Sequence, residues 1–489
     1  PQGPTPPTGP PPPSCVTFAP DMFPRRPSLA LALLAAYCLP LAASGMEKPW
    51  SSGPLRVSPN GRYLQTAAGA PFFWMGDTAW RLFQRLTREE TLHYLDDRRA
   101  LGFNVIQVMI ASNPNETNAA GAAAFRDGNP GQPITSPGGD YWDHIDWVLT
   151  QAEARGLYLA MLPAWCSLAK STLNEQNATP YLEFLTERFR RHPNIIWVNG
   201  GDCLGSDFPK LWRLMGETLK RRDPARLLTF HPFGGTSSSM WFHNEPWLDF
   251  NMFQSGHRRY DQVREAQKSY WKGEDGWRFV QEDLALSPPK PTLDAEPSYE
   301  SIPQGLHDPS QPYWDDYHVR RYAYWSVFAG ACGHTYGHNA VMQMHTPAAG
   351  RGAYGVRETW REALGAPGAR HVPLLRRLIL SRPFFERIPG QSLLAGPGGE
   401  RYHRVIATRG AAYAFFYTFT GEPFTVRMGA LSGRHTAASW FDPRTGQTRA
   451  IGRFRNRGTR TFTPPQPALD WVLVLDDASA NFTPPGQIP

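Results

Sequence analysis

Short apolar runs alternate with amphipathic stretches through the middle of this sequence, and few folds accept that pattern. Phe103–Ile110, Leu157–Pro163 and Ile195–Asn199 are apolar at most positions, as strands must be when both faces are buried. Phe72–Gly76, Leu227–His231, Phe250–Phe253, Pro291–Ala295 and Gly333–Tyr336 complete a set of eight candidate strands. Between them, Arg88–Leu101, Tyr141–Arg155, Pro180–Arg191, Phe208–Arg222 and Asp315–Phe328 carry apolar residues at helical spacing. The alternation predicts an α/β fold, a (β/α)8 TIM barrel. Its sixth and seventh units rest on weaker signals, because 258–289 has no clean periodicity.

The period changes near Gly365-Ala366-Pro367-Gly368. Beyond a last helix over Val372–Leu380, the segments Ala412–Phe419, Phe424–Met428, Thr436–Phe441 and Trp471–Leu475 read as strands, broken by turns such as Pro443-Arg444-Thr445-Gly446. This tail is expected to be a small C-terminal all-β sandwich. A short hairpin over Leu55–Gly69, turning at Pro59-Asn60-Gly61, precedes the first barrel strand. At the other end, residues 1–21 are proline-rich. From Met22 onward, Arg25 and Arg26, the apolar run Leu29–Leu41 and the small residues Ala42-Ala43-Ser44 follow the layout of a secretory signal. The expected organisation is a leader over 1–45, a barrel over 46–370 and a β-sandwich over 371–489, with a secreted or periplasmic mature chain and no stable membrane anchor.

Three cysteines remain after the leader: Cys166, Cys203 and Cys332. They form no disulfide framework and no zinc motif. Cys166 and Cys203 follow neighbouring strands, so a bridge between them is conceivable, but buried free thiols are the default reading. The formal charge of +7 is scattered without long Lys/Arg blocks, which argues against a nucleic-acid partner. Aromatic residues make up 13%, with 17 tryptophans; their flat faces suit stacking on sugar rings.

Two strands end in carboxylates. Ile195-Ile196-Trp197-Val198-Asn199 breaks on Gly200-Gly201 and presents Asp202, and Pro291-Thr292-Leu293-Asp294-Ala295 presents Glu296. On a parallel barrel both acids sit at the carboxyl-end rim, where such folds keep their active sites. Paired carboxylates across a cleft are the working groups of most glycoside hydrolases. Asp294 and Glu300 compete for the nucleophile's place, and Asp294, two residues deeper, reads as support. Asp77 and Trp80 follow the first strand; Trp165, His231, Gln254 and His338 follow the third, fifth, sixth and eighth. Together with Asn199 they are candidate substrate contacts. His334, His338 and His345 raise the question of a metal, but the first strand ends in Gly-Asp-Thr-Ala-Trp without the paired histidines a barrel metallohydrolase needs. No metal and no cofactor are expected.

Gly76-Asp77-Thr78-Ala79-Trp80, Asn199-Gly200-Gly201-Asp202, Asp294-Ala295-Glu296-Pro297 and Tyr336-Gly337-His338-Asn339 resemble the motifs of the apiosidase-like family, glycoside hydrolase family 140. The resemblance runs from about Leu55 to about Gly365, with the motifs in family order on the matching strands. The tail resembles the collagen-binding-type β-sandwich often joined to these barrels. The resemblance implies a retaining glycosidase of pectic side chains, with Asp202 as acid/base and Glu296 as nucleophile, acting without a cofactor on a carbohydrate of the plant cell wall. Since the tail supplies no rim residue, turnover of a small substrate is expected from the barrel alone. Two other readings stay open on the sequence: a carbohydrate-binding protein with an inactive barrel, and a metal-dependent barrel hydrolase.

Overall fold

The computed structural model describes residues 48–488, so the leader expected over 1–45 lies outside the described residues. A small antiparallel sheet of two-residue strands, Arg56–Val57, Leu64–Gln65 and Pro71–Phe72, includes the expected hairpin. Eight parallel strands follow: β1 Trp74–Thr78, β2 Val105–Met109, β3 Tyr158–Leu162, β4 Ile195–Cys203, β5 Leu228–Pro232, β6 Asn251–Phe253, β7 Thr292–Asp294 and β8 Gly333–Tyr336. They pair in the order β5-β4-β3-β2-β1-β8-β7-β6. The ladder leaves β5 and β6 unpaired, and that seam is bridged by Thr229 Oγ1 donating to Phe250 O at 2.6 Å and Asp249 N donating to Leu228 O at 2.9 Å. The result is the expected TIM barrel.

Its long helices are α1 Arg88–Leu101, α2 Tyr141–Ala154, α3 Glu175–Arg188, α4 Pro209–Arg222, α5 Gly276–Leu284, α6 Asp316–Ala329 and α7 Pro367–Leu380. Capping residues set several starts. Thr87 with Glu90 and Asp140 with Asp143 form capping boxes at α1 and α2. Asn174 and Asn177 do the same for α3, which therefore begins before the expected Pro180; the proline is carried in the second turn, where it forgoes one backbone bond. Pro367 occupies the first position of α7, so this helix starts before the expected Val372 and runs through the limit expected at 370.

The tail is a six-stranded antiparallel sheet faced by a two-stranded ribbon. Its strands are β9 Ile388–Pro389, β10 Val405–Arg409, β11 Tyr413–Thr418, β12 Phe424–Arg427, β13 His435–Phe441, β14 Thr448–Arg455, β15 Thr459–Phe462 and β16 Trp471–Asp477. The sheet order is β9-β10-β11-β16-β13-β14, and β12 pairs with β15. Alternation gives the sheet two apolar faces. Ala414, Phe416, Leu473 and Leu475 pack under the ribbon, whereas Phe415, Tyr417, Val472 and Val474 belong to the barrel's core. Tyr417 stacks on Tyr324 of α6 at 4.7 Å, and Arg320 of α6 forms a buried ion pair with Asp470 at 2.9 Å.

Candidate active site

The strand ends deliver the candidate acids by different means. At the end of β4 the register against β5 jumps between Gly200 and Cys203, so Gly201 and Asp202 are extruded as a bulge. Gly200, Gly201 and Asp202 all have positive φ, at 80°, 128° and 60°. A side chain at Gly200 would meet Phe230 at 2.6 Å and His231 O at 2.7 Å, so the bulge needs glycine there. Asp202 itself carries left-handed strain of the kind that concentrates at functional sites. Glu296 lies two residues beyond β7, and its carbonyl accepts from Gly256 N at 3.1 Å.

Both carboxylates line one cavity of about 460 Å³ at the carboxyl-end rim, with Trp80, Trp165, Gln254, Trp271, Tyr299 and Tyr354 among its walls. Trp80 and Trp165 approach to 5.0 Å between ring centroids, and His231 meets the Trp80 ring edge-on at 5.2 Å. This gives an aromatic surface beside two acids, a fit for a sugar ring.

The two acids have opposite electrostatics. Burial pushes the Asp202 carboxyl well above the ordinary range, and the charge of Glu296 adds to the effect; Lys170, Gln254 and Gly234 oppose it without cancelling it. Burial also pushes Glu296 upward, but hydrogen bonding and charge from His231 and His257 outweigh it and hold that carboxyl well below the ordinary range. His257 Nε2 is 3.1 Å from Glu296 Oε1, and its Nδ1 accepts from Tyr299 N at 3.3 Å. That backbone donor assigns the neutral ring's proton to Nε2, aimed at the carboxylate. His231 Nε2 lies 3.3 Å from Oε2, a longer contact than that of His257. A glutamate shifted down facing an aspartate shifted up matches the division of labour that a two-carboxylate glycosidase requires.

The structure sorts the other expected residues into two groups. Trp80, Trp165 and Gln254 line the cavity with the acids, and His231 stands behind Glu296. Asp77, Asn199 and His338 are directed elsewhere. Asp77 is fully buried against α1, pairing with Arg98 at 3.0 Å and accepting from Tyr94 OH at 2.6 Å. Asn199 shares the outward face of β4 with Trp197; its Nδ2 donates to Trp212 O at 2.7 Å and its Oδ1 accepts from Gly200 N. His338 caps the short helix Asn339–Met342 through Nδ1, with Nε2 3.3 Å from Glu358. Asp294, expected as support, is fully buried: it accepts from Ser255 Oγ at 2.6 Å, and burial raises it to about 7. Glu300 accepts from Tyr336 OH at 2.6 Å and from Gly368 N at the start of α7. His334, weighed as a metal ligand, is fully buried, and its Nδ1 faces Ser326 Oγ at 3.3 Å.

Sequence reasoning missed His257, Trp271, Tyr299 and Tyr354. The first two lie on the loop leaving β6, where periodicity is weakest, and their signal was the polar-aromatic composition itself. Tyr299, three residues past Glu296, accepts from Trp80 Nε1 at 3.2 Å; burial raises its hydroxyl well above the usual range, and the charge of Glu296 raises it further. Cys166 and Cys203 are joined in a disulfide, not free. The β4 bulge brings Cys203 to Cys166, with 5.4 Å between their Cα atoms, and the bridge staples the segment of Trp165 to that of Asp202. Cys332 is free and buried.

No curated protein matches the chain. Among solved structures, a glycoside hydrolase is 44% identical, with 89% of this chain and 99% of that one covered and a TM-score of 0.86. A glycoside hydrolase family 5 structure from Bacteroides vulgatus is 41% identical, covering 90% of this chain and 96% of that one, again with a TM-score of 0.86. Residues 388–476 match the model described as "Putative collagen-binding domain of a collagenase". Residues 58–386, which hold the barrel and both rim carboxylates, match the model for the apiosidase-like catalytic domain. With residues 58–386 matching that model and Asp202 and Glu296 paired at the barrel rim, the chain belongs to the apiosidase-like family of glycoside hydrolases.

Proposed function

We propose that this glycoside hydrolase is a secreted, retaining enzyme that removes sugars from plant-type, pectic side chains, with an apiosidase-like preference. The observation that supports the mechanism is the placement of Asp202 and Glu296 on one cavity, in surroundings that push the first carboxyl up and hold the second down. In the first step a Glu296 carboxylate oxygen attacks the anomeric carbon. The bond to the leaving oxygen breaks, and Asp202 gives that oxygen its proton. In the second step the Asp202 carboxylate takes a proton from water, the oxygen attacks the anomeric carbon, and Glu296 is released. The lowered Glu296 is ready to attack, and the raised Asp202 is ready to donate. Trp80, Trp165 and Gln254 are the proposed sugar contacts.

Proton NMR of the first sugar formed tests the stereochemistry: retention of the anomeric configuration supports double displacement, and inversion overturns it. A screen of aryl glycosides and pectic oligosaccharides tests the substrate, with release of the branched sugar apiose expected to dominate. Secretion is supported by the signal-like leader in the sequence and by the Cys166–Cys203 bridge, because disulfides persist in oxidising compartments. Recovery of full-length protein in the cytoplasm alone would overturn it.

A further inference from the structure

The loop between β6 and α5 leaves the barrel after Ser255 and returns at Gly276, and one wall of the catalytic cavity depends on it. It carries His257 to Glu296, and it carries Arg258 and Trp271 into the cavity lining. Trp271 packs closely on Gly235 and Gly256; a side chain at Gly235 would meet its ring at 2.3 Å, and one at Gly256 at 2.7 Å.

The neck of this loop is closed by Glu274. Its Oε1 accepts from Tyr260 N at 3.3 Å, joining the outgoing and returning strands of the loop. Glu274 is fully buried and forms an ion pair with Arg321 of α6, which is buried as well. The same Oε1 accepts from Tyr402 OH at 2.6 Å, and Tyr402 belongs to the C-terminal module. The Tyr402 ring also meets Tyr260 edge-on at 5.6 Å and lies 4.9 Å from the Arg321 guanidinium. On either side, Arg401 sits over the Tyr260 ring at 5.0 Å and Arg404 over Trp277 at 3.6 Å. The tail therefore grips the base of the loop that walls the active site.

We propose that Tyr402 is a positioning residue for glycoside hydrolysis, acting through Glu274 to hold the 256–275 loop and its Trp271 in place. The C-terminal module is then a working part of the substrate cavity, although none of its side chains touches the sugar. This rests on the reading of the cavity as the glycosidase site. Hydrogen bonds to a buried carboxylate are among the stronger ones, and a loop anchored by one neck carboxylate loosens as a unit when an anchor is lost.

The test uses the full chain carrying Tyr402→Phe, which removes only the hydroxyl. Asp476→Asn is the control: it weakens another contact of the module, the Arg382–Asp476 pair at 2.7 Å, away from the loop. Amide hydrogen exchange over 256–275 should rise about tenfold in Tyr402→Phe and stay at the wild-type rate in Asp476→Asn, with β1–β4 unchanged in both. On any aryl glycoside the wild type turns over, Tyr402→Phe should raise KM several-fold with a smaller change in kcat. Exchange and KM equal to wild type would overturn the proposal, as would equal loosening in both variants. The exchange measurement needs no substrate, so a wrong assignment of the sugar leaves it intact. Should Tyr402→Phe fail to fold, the wild-type protein still decides. The Tyr260 amide must then exchange at the rate of the β10–β11 amides, and independent, faster exchange at Tyr260 would refute the coupling.

Discussion

Asp202 and Glu296 are the same functional group in the same cavity, yet their surroundings shift them in opposite directions, Asp202 up and Glu296 down. Desolvation is the largest influence on each and pushes both toward the neutral form. What separates them is the neighbours. Glu296 faces two imidazoles, one of them donating through Nε2. Asp202 faces an amide, a backbone N–H and the negative charge of Glu296 itself. The lesson is that burial alone favours the neutral form of both: the histidines reverse that at Glu296, and the charge of Glu296 reinforces it at Asp202. Such a pair titrates as a unit, and changing one member should be felt at the other.

Removing the member that sets the pattern should have the largest effect. Glu296→Gly is expected to lower kcat by about 10⁴-fold or more, and azide should restore cleavage of an activated aryl glycoside by replacing the lost nucleophile. Unimpaired turnover in this variant would break the comparison at its root. Asp202→Ala should cost about 10²–10⁴-fold on substrates with poor leaving groups and much less on activated ones, whose departure needs no proton. The wild-type pH profile should be a bell. Activity falls at low pH as the lowered Glu296 protonates, and at high pH as the raised Asp202 loses its proton. Asp202→Ala should flatten the alkaline side; an alkaline limb that survives would assign it to another group.

The contrast between these acids and the other expected contacts explains what was legible in the sequence. Apolar runs marked β2, β3 and β4, which are buried on both faces, whereas β7 and β8 carry buried Asp294 and His334 and were read from their place in the alternation. The glycines before Asp202 read as the point where the strand breaks, whereas β4 runs on through them to Cys203 as a bulge. Side-chain direction was harder. Asn199 lies on the face of Trp197, which packs against helices, and strict alternation along β4 points to that outward face. Asp77 looked like a rim acid because its partner, Arg98, is distant in sequence and only α1 packing brings them together. The loop from β6 was opaque because its order comes from long-range contacts, including Tyr402 with Glu274. In the tail, β14 escaped notice because its residues are mostly exposed and arginine-rich, with no buried face to enforce a period.

Asp77 offers a third buried carboxylate, and it separates structural burial from catalytic burial. Burial raises it, and the adjacent Arg98 guanidinium opposes that rise. Asp77→Ala leaves Arg98 charged and fully buried without its main partner, which should cost about 3–5 kcal/mol of stability. A urea titration should show the midpoint falling in Asp77→Ala, while Trp80→Ala, at the cavity wall, should mainly raise KM. A stable Asp77→Ala enzyme with lost sugar binding would instead return Asp77 to the substrate contacts.

The smallest expected effect is the finest test of the comparison, because it changes the degree of Glu296's ionisation and not its presence. His257→Gln keeps a hydrogen-bond donor near Oε1 but removes the imidazole and any charge it carries. The sign follows from the balance at Glu296: burial raises the carboxyl, the histidines lower it, and weakening one histidine moves it upward. The acid limb of kcat/KM should therefore shift to higher pH by about one unit, corresponding to about 1.4 kcal/mol of lost preference for the carboxylate. The same linkage applies to folding. A carboxyl with a depressed folded value contributes stability above its unfolded value, and that stability is lost as pH falls through the folded value. His257→Gln should thus lose part of its acid-side stability at a higher pH than wild type. Because Glu296's charge helps keep Asp202 protonated, the alkaline limb should move little while Glu296 stays ionised near neutrality. An acid limb that stays in place would mean that His231 alone sets the state of Glu296. A limb that moves to lower pH would mean that His257 opposes ionisation, contrary to the donor role its backbone partner Tyr299 assigns it.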